Sequence, residues 1–472
     1  MRRCFLTMLT GVAVLGCGDD SSSTGSEGGD SSGTTTSPAT DEGSTQAPME
    51  TTSADGTGSE SSGPGAACGN GVVDPGEDCD DENMLEDDGC YSNCTIPYEE
   101  LWTQTFDDGE DDLARDALFD GEGNLYVLGS SEVGGGGFDL WLRQYLPDGS
   151  EGFTWTYDGA FGGDDFGQRM AWHPSGDLMI VGSEQSDQGS DVLVIRLELS
   201  GPSVVWSDTY DGPDTGLMGA DDDFGDHVAV TAEGDVLVAG TVREVDQEWN
   251  AWLRRYDGDG NELWTLAHDE AMLSDASEAV VVDAAGDIYH VGGIEVSNGD
   301  ADGWVRKLDA DGNEIWTHTI GGVVFRDATL DAEGNLVLTG VDIEAGTAPD
   351  LWLGKYDPDF GVLGNTSYDS GGSFDFGLGV AVGSGGDVYV AGSITVVGEQ
   401  GQIWAARYQP NVNLRWWSHS YGNDRAHLED DAFAIAINDD ESRVAIVGQE
   451  TVLGQGRNTW VRMLQNNPVP MP

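Results

Sequence analysis

Basic residues are scarce in this chain: 19 Lys and Arg stand against 87 Asp and Glu, a net charge of −68 over 472 residues. So acidic a surface repels phosphate backbones and bare anionic bilayers, which argues against nucleic acid and an unassisted membrane surface as partners. The charge itself suits the solubility of an exported protein. Long apolar runs are missing as well. The stretch Phe5 to Leu15 is too short to span a bilayer, and no other segment is apolar enough to do so. Histidine is sparse and scattered: His173, His227, His268, His290, His318, His419 and His427 form no His-x-x-x-His pair, and none sits in a nucleophile elbow. From residue 18 to 67 there is no aromatic residue, no Lys and no Arg, so this stretch has too little apolar surface to offset its ordering entropy.

What the chain has in excess is repetition. Between residues 115 and 465 one unit recurs seven times, with a period of about fifty residues. The clearest copy, 279–320, reads as four short strands: a β-branched run to Asp283, a Gly286-Asp287 turn, Ile288 to Val291 ending on Gly292, Gly303-Trp304-Val305-Arg306, a turn at Asp311-Gly312, and Ile315-Trp316-Thr317. Four strands per unit at that period predict an all-β, seven-bladed β-propeller.

Within the unit, position separates scaffold from site. The second strand ends in glycine, at Gly129, Gly182, Gly240, Gly292, Gly340, Gly392 and Gly448. The third carries Trp141, Trp252, Trp304, Trp352, Trp404 or Trp460, with Val194 or its neighbour taking that place in the second unit; the fourth carries Trp155, Trp206, Trp264, Trp316 or Trp417. Aromatics at fixed offsets belong to the packing between blades. A cation also recurs, at Arg143, Arg196, Arg254, Arg306, Lys355, Arg407 and Arg462, and is expected to pair with a strand or turn carboxylate. The seventh unit lacks a fourth strand after Arg462. Leu101 to Phe106 matches Ile315 to Ile320 yet precedes the first full unit, so it is expected to pair into the last blade and close the ring.

The N-terminal fifth is organised differently. Arg2 and Arg3, the apolar Phe5 to Leu15, and Val14-Leu15-Gly16-Cys17 resemble the signal and lipobox of bacterial lipoproteins. The resemblance implies residues 1–17 as signal peptide, Cys17 as the lipidated first mature residue, and a bacterial cell-envelope location, outer membrane or cell surface, with the membrane reached through that lipid. Arg2-Arg3-Cys4-Phe5-Leu6 also matches the core of a twin-arginine signal, so the general secretory and twin-arginine routes both stay open. Residues 18–67 are then a disordered linker with a reach on the order of 40 Å.

Residues 68–98 form a Cys-rich module. Cys68, Cys79, Cys90 and Cys94 lie outside the cytoplasm on this reading and are expected to make two disulfides, in any of three pairings. Cys68-Gly69-Asn70-Gly71-Val72-Val73-Asp74 and Gly76-Glu77-Asp78-Cys79-Asp80-Asp81 resemble the myxobacterial-type Cys-rich repeat of bacterial surface proteins, with Glu82 where that family has Gly. Asp78, Asp80, Asp81, Asn83, Asp87 and Asp88 offer hard oxygen ligands of the kind Ca²⁺ takes.

Residues 99–466 form the propeller. Asp165-Phe166-Gly167, Asp223-Phe224-Gly225 and Asp375-Phe376-Gly377, each followed by a small apolar run and a Gly-Asp or Gly-Asn turn, resemble the bacterial β-propeller repeat of secreted and surface proteins. Asp311 to Trp316 is also similar to quinoprotein-type repeats. The first resemblance implies a non-catalytic binding or scaffolding platform for an envelope protein or a glycan. The second implies, as the alternative, an oxidoreductase using pyrroloquinoline quinone and calcium. That enzyme needs acidic and basic groups converging on the ring axis, and the repeat pattern shows none. The loops Asp208 to Asp223 and Tyr421 to Asp431 exceed their counterparts, so Asp214, Asp221, Asp222, Arg425, His427, Glu429 and Asp430 are the binding-loop candidates.

Overall fold

Each copy of the repeat folds as a four-stranded antiparallel sheet because its apolar residues alternate and its Gly-containing turns are tight enough to bring consecutive strands together. The computed structural model describes residues 5–9, 12–16, 69, 73, 77–80, 90–107, 109–134, 136–212, 222–243, 249–268, 274–296, 300–343, 348–371, 374–395, 401–422, 430–454 and 456–467. Among them there is no helix, and seven four-stranded sheets are present in the unit Cys68–Pro472. The separate unit Met1–Ala67 contains one antiparallel pair, Phe5–Leu9 with Val12–Gly16. Cys17, the linker 18–67, Cys68, Asp81, Asn83, Asp87 and Asp88 lie outside the described residues.

The innermost strands of blades one to seven are Asp112–Phe119, Phe166–Trp172, Phe224–Val230, Asp275–Val282, Val323–Leu330, Asp375–Val382 and Asp431–Ile437. Each packs against the next around the ring, and the seventh returns to the first. The core is accordingly a set of slabs between adjacent blades. One slab joins Leu128 and Leu142 of blade one to Ile180 and Ile195 of blade two; another joins Tyr389 and Trp417 of blade six to Ile446 and Trp460 of blade seven. The third-strand tryptophans are all buried, and Leu193 stands opposite Gly182 in the place that Trp takes elsewhere.

The ring closes through its N-terminal strand. Tyr98–Phe106 is the outer strand of the seventh sheet, antiparallel to Gly456–Asn466, with Thr103 opposite Arg462 and Thr105 opposite Trp460. Side chains fasten the seam to both neighbours. Trp102 Nε1 donates to the Pro147 carbonyl of blade one (3.4 Å), and Tyr98 packs on Trp417 of blade six with ring centroids 5.1 Å apart. Between them, His419 Nε2 lies 2.9 Å from Arg462 Nη1 and its Nδ1 lies 3.1 Å from the Tyr98 hydroxyl. Arginine has no acceptor, so Nε2 is the bare nitrogen and Nδ1 carries the proton.

The recurring glycines do not end the second strands, which run on past them to Glu132, Gln185, Arg243, Val296, Asp342, Thr395 and Val452, but glycine stands there for a steric reason. A Cβ at Gly129, Gly182, Gly240, Gly292, Gly340, Gly392 or Gly448 would fall on the carbonyl oxygen of the inner strand beside it, and at Gly129 and Gly292 also on the indole of Trp141 or Trp304. The recurring cation is paired in every blade, in two ways. Two positions beyond the tryptophan, Arg143, Arg254, Arg306 and Arg462 reach Glu151, Glu262, Glu314 and Glu100 on the outer strands at 3.9, 3.6, 3.3 and 3.5 Å. Three positions beyond, Lys355 and Arg407 reach the turn residues Asp331 and Asp387 at 2.8 and 2.6 Å, as Arg196, counted from Leu193, reaches Asp177 at 2.8 Å. Successive strand residues face opposite sides, so one step in offset changes the partner.

Before the first strand of the propeller, Cys79 and Cys90 form a disulfide, and Cys94 is also disulfide-bonded. The backbone carbonyl of Cys94 accepts the Asp78 amide at 2.9 Å. Tyr91 is fully buried in this small module.

Candidate functional site

Every innermost strand carries a β-bulge at the same level. The pairing skips Arg115, Gln168, Asp226, Glu278, Arg326, Leu378 and Phe433 in blades one to seven. A bulge re-aims side chains that a regular pleat would send between the blades. Here it gathers charge at the axis, contrary to the expectation drawn from the repeats. Arg326 Nη1 binds Glu278 Oε1 at 3.0 Å across blades five and four. His227 Nε2 stands 3.4 Å from Asp327 Oδ1, which spans blades three and five. Arg115 lies over the Phe433 ring at 4.4 Å, joining blades one and seven.

Beside this layer, toward the C-terminal ends of the inner strands, lies a cavity of about 360 Å³. Asp116, Arg169, His227 and Asp327 form its polar arc, and Val382, Ala436, Ile437 and Phe119 belong to its apolar wall. The carboxylates are held by backbone. Asp116 accepts the Met170 amide of the next blade at 2.6 Å and the Ala117 amide at 2.8 Å. Asp327 accepts the Val380 and Ala328 amides at 2.8 and 2.9 Å. Arg169 Nη1 donates to the Arg115 and Gln168 carbonyls, both at 3.2 Å.

Burial dominates the electrostatics. It raises Asp116 to about 6, against the opposing charge of Arg169 and its amide donors. Burial and the neighbouring Glu278 lift Asp226 well above the usual carboxylate range, and burial raises Glu278 despite Arg326. Asp327 differs: burial is outweighed by the His227 hydrogen bond and the Arg169 charge, which hold it low. Burial, with Arg457 and Arg169 close by, presses Arg115 down to about 9. Because guanidinium does not deprotonate in proteins, that shift records a cation held without adequate compensation.

The residues singled out from sequence lie elsewhere. Asp222 Oδ1 accepts the Ser190 amide at 3.1 Å and Asp430 Oδ1 the Thr451 amide at 2.8 Å, and both sit at N-terminal ends of inner strands, away from the cavity's end. Asp214, Asp221, Arg425, His427 and Glu429 lie outside the described residues. In the Cys-rich module Asp80 Oδ2 accepts the Gly69 amide at 3.0 Å, and Glu77, Asp80 and Cys94 approach one another. The Cys94 sulfur is in a disulfide, so two carboxylates remain there as metal ligands among the described residues. Two further acidic groups repeat at blade junctions, Asp139 with Asp158 and Asp165, and Asp350 with Asp369 and Asp375. Their buried members cap the chain: Asp165 accepts the Gln185 amide at 3.1 Å, and Asp375 the Thr395 amide at 3.0 Å.

The axial residues did leave a trace in the sequence. Directly after the small or aromatic residue of the first strand stand Arg115-Asp116, Gln168-Arg169, Asp226-His227 and Arg326-Asp327 in blades one, two, three and five, with the single Glu278 in blade four. Polar pairs inside apolar strands were the available signal.

No family model matches the sequence, and no curated relative matches it. Among solved structures the chain is similar to a protein of unknown function from Dyadobacter fermentans DSM 18053, at 12% identity and a TM-score of 0.46 over 79% of this chain and 100% of that one. It is also similar to the polysaccharide lyase Uly1, at 11% identity and a TM-score of 0.45 over 78% of this chain and 100% of the lyase.

Proposed function

We propose that the chain is a lipid-anchored, non-catalytic binding protein of the bacterial cell envelope, at the outer membrane or cell surface, whose propeller takes a small ligand at its axis. The anchor reading is supported by Val14-Leu15-Gly16-Cys17 followed by a polar linker, and by the likeness of 68–98 to a surface-protein Cys-rich repeat. The binding reading is carried by the axial cavity of about 360 Å³, with a charged arc facing an apolar wall. Small-molecule sites combine such a wall with a few convergent polar groups. The non-catalytic reading is supported by how those groups are held. Asp116 and Asp327 already accept backbone amides, and His227 Nε2 is taken by Asp327.

The quinone-and-calcium alternative fits these residues poorly. Arg115, Arg169 and Arg326 interleave with the axial carboxylates, and Ca²⁺ requires six to eight oxygens free of such competition. Native mass spectrometry of the protein isolated from bacterial envelopes tests the binding reading. A bound small molecule is expected on wild type and absent from Thr329→Phe, which fills the cavity. A ligand-free wild type, or a ligand retained by that variant, overturns axial binding. Labelling with a radioactive fatty acid, expected on wild type and lost in Cys17→Ser, tests the anchor.

A further inference from the structure

We infer that the axial cavity binds the carboxylate end of a small amphipathic anion, and that Arg169 is the residue that receives it. The inference rests on the reading of the cavity as a binding site and adds the chemistry of its occupant. Arg169 lines the cavity, and no carboxylate among the described residues lies within ion-pair distance of it. Its Nη1 is fixed by two backbone carbonyls, while its Nε and Nη2 have no acceptor among the described residues and are not sealed from solvent. One side of a planar fork is thus clamped and the other is open. That open edge has the geometry of a bidentate carboxylate contact.

A second observation points the same way. Arg115, whose carbonyl Arg169 grips, is 4% exposed, and among the described residues it has no ion pair and its Nη2 has no acceptor. Guanidinium N–H groups therefore stand unsatisfied on the cavity wall at Arg169 and just behind it at Arg115, whereas the lining carboxylates are engaged: Asp116 by two amides and Asp327 by two amides and His227. An incoming cation would find its ligands occupied and guanidinium groups beside it. An incoming anion completes the set.

The same surroundings favour a single charge, because Asp116 and Asp327 both line the cavity and a dianion would meet two carboxylates there. The rest of the space sets the body of the ligand. Val382, Ala436, Ile437 and Phe119 offer nothing to a polar group, so the part beyond the carboxylate is apolar.

The test uses the full-length Cys17→Ser chain, titrated calorimetrically with the matched pairs 3-phenylpropionate and 3-phenylpropionamide, and octanoate and octanamide. The acids are expected to bind at least about tenfold more tightly than their amides, as a charge-assisted contact implies. Arg169→Met should lose that preference and Arg169→Lys should keep part of it, with Thr329→Phe abolishing binding of every probe. Acid and amide binding equally, both lost in Thr329→Phe, leaves the axial site standing and overturns the anion assignment. Acid preference unchanged in Arg169→Met and Arg169→Lys overturns the role of Arg169. No binding by any probe overturns both the inference and the reading beneath it.

Discussion

Acid should open the ring at its seam, and the magnitude follows from one histidine. His419 is neutral at the seam, with Arg462 donating to Nε2 and Nδ1–H directed at the Tyr98 hydroxyl. A second ring proton would confront the guanidinium. Burial first, and the Arg462 charge second, lower its pKa from 6.5 to about 4. The unfolded chain therefore binds a proton that the folded chain refuses. Stability is complete above pH 6.5, falls as the pH drops below it, and this contribution is exhausted near pH 4. At about 1.4 kcal/mol per unit, roughly 3 kcal/mol is lost over the whole window, of which about 2 kcal/mol is gone by pH 5. Carboxylates also titrate in acid, but they do so equally in a variant that lacks the imidazole. Denaturant unfolding of wild type and His419→Gln at pH 7 and pH 5 isolates the term. Glutamine can accept from Arg462 and donate to Tyr98, yet has no proton to gain. Wild type should lose about 2 kcal/mol more than the variant between the two pH values. Equal losses would refute the tautomer and the latch together.

Three further outcomes are expected. Deleting residues 99–106 removes the partner of Gly456–Asn466 and the half-buried Trp102, and should cost at least about 3 kcal/mol, seen as a lower thermal transition; an unchanged transition would argue for an open array. Trp460→Ala empties a fully buried site and should cost about 3 to 5 kcal/mol in denaturant unfolding, with Trp460→Phe well below that. Gly292→Ala drives a methyl into the Ala276 carbonyl and the Trp304 indole and should destabilise by at least about 1 to 3 kcal/mol, while Gly121→Ala, with nothing near its Cβ, should be neutral; equal melting temperatures for the two variants would show that the close approach is not the reason for glycine there.

Blade number, the closing strand and the packing tryptophans were legible because each recurs in register, and recurrence survives any local irregularity. Leu101 to Phe106 announced its place by matching Ile315 to Ile320, and it forms the outer strand of the seventh sheet. The cations were read correctly as paired, but as one class. The pleat divides them into two, since Arg143 and Lys355 differ by one step in offset and therefore face different partners. The axial layer escaped for the opposite reason. Arg115, Gln168, Asp226, Glu278, Arg326, Leu378 and Phe433 occupy one structural level with almost no chemistry in common, so a search for repetition passes over them. A bulge also breaks the two-residue period from which strand faces are read. Loop length points elsewhere, and the two described candidates from the long loops, Asp222 and Asp430, hold backbone amides.

The closing strand also has a history in time. Arg462 and Thr103, whose hydroxyl oxygen accepts from Arg462 Nε, are 359 residues apart, so the strand made first receives its neighbour last. While six blades and most of the seventh are synthesised, Tyr98–Phe106 is an unpaired edge with aromatic residues at three of its nine positions. Two adjacent glutamates, Glu99 and Glu100, stand inside that segment, and charge on an edge strand discourages pairing with the wrong chain. Glu100 later becomes the carboxylate that meets Arg462 at 3.5 Å. One side chain thus guards the strand during its long wait and marks the place where the wait ends.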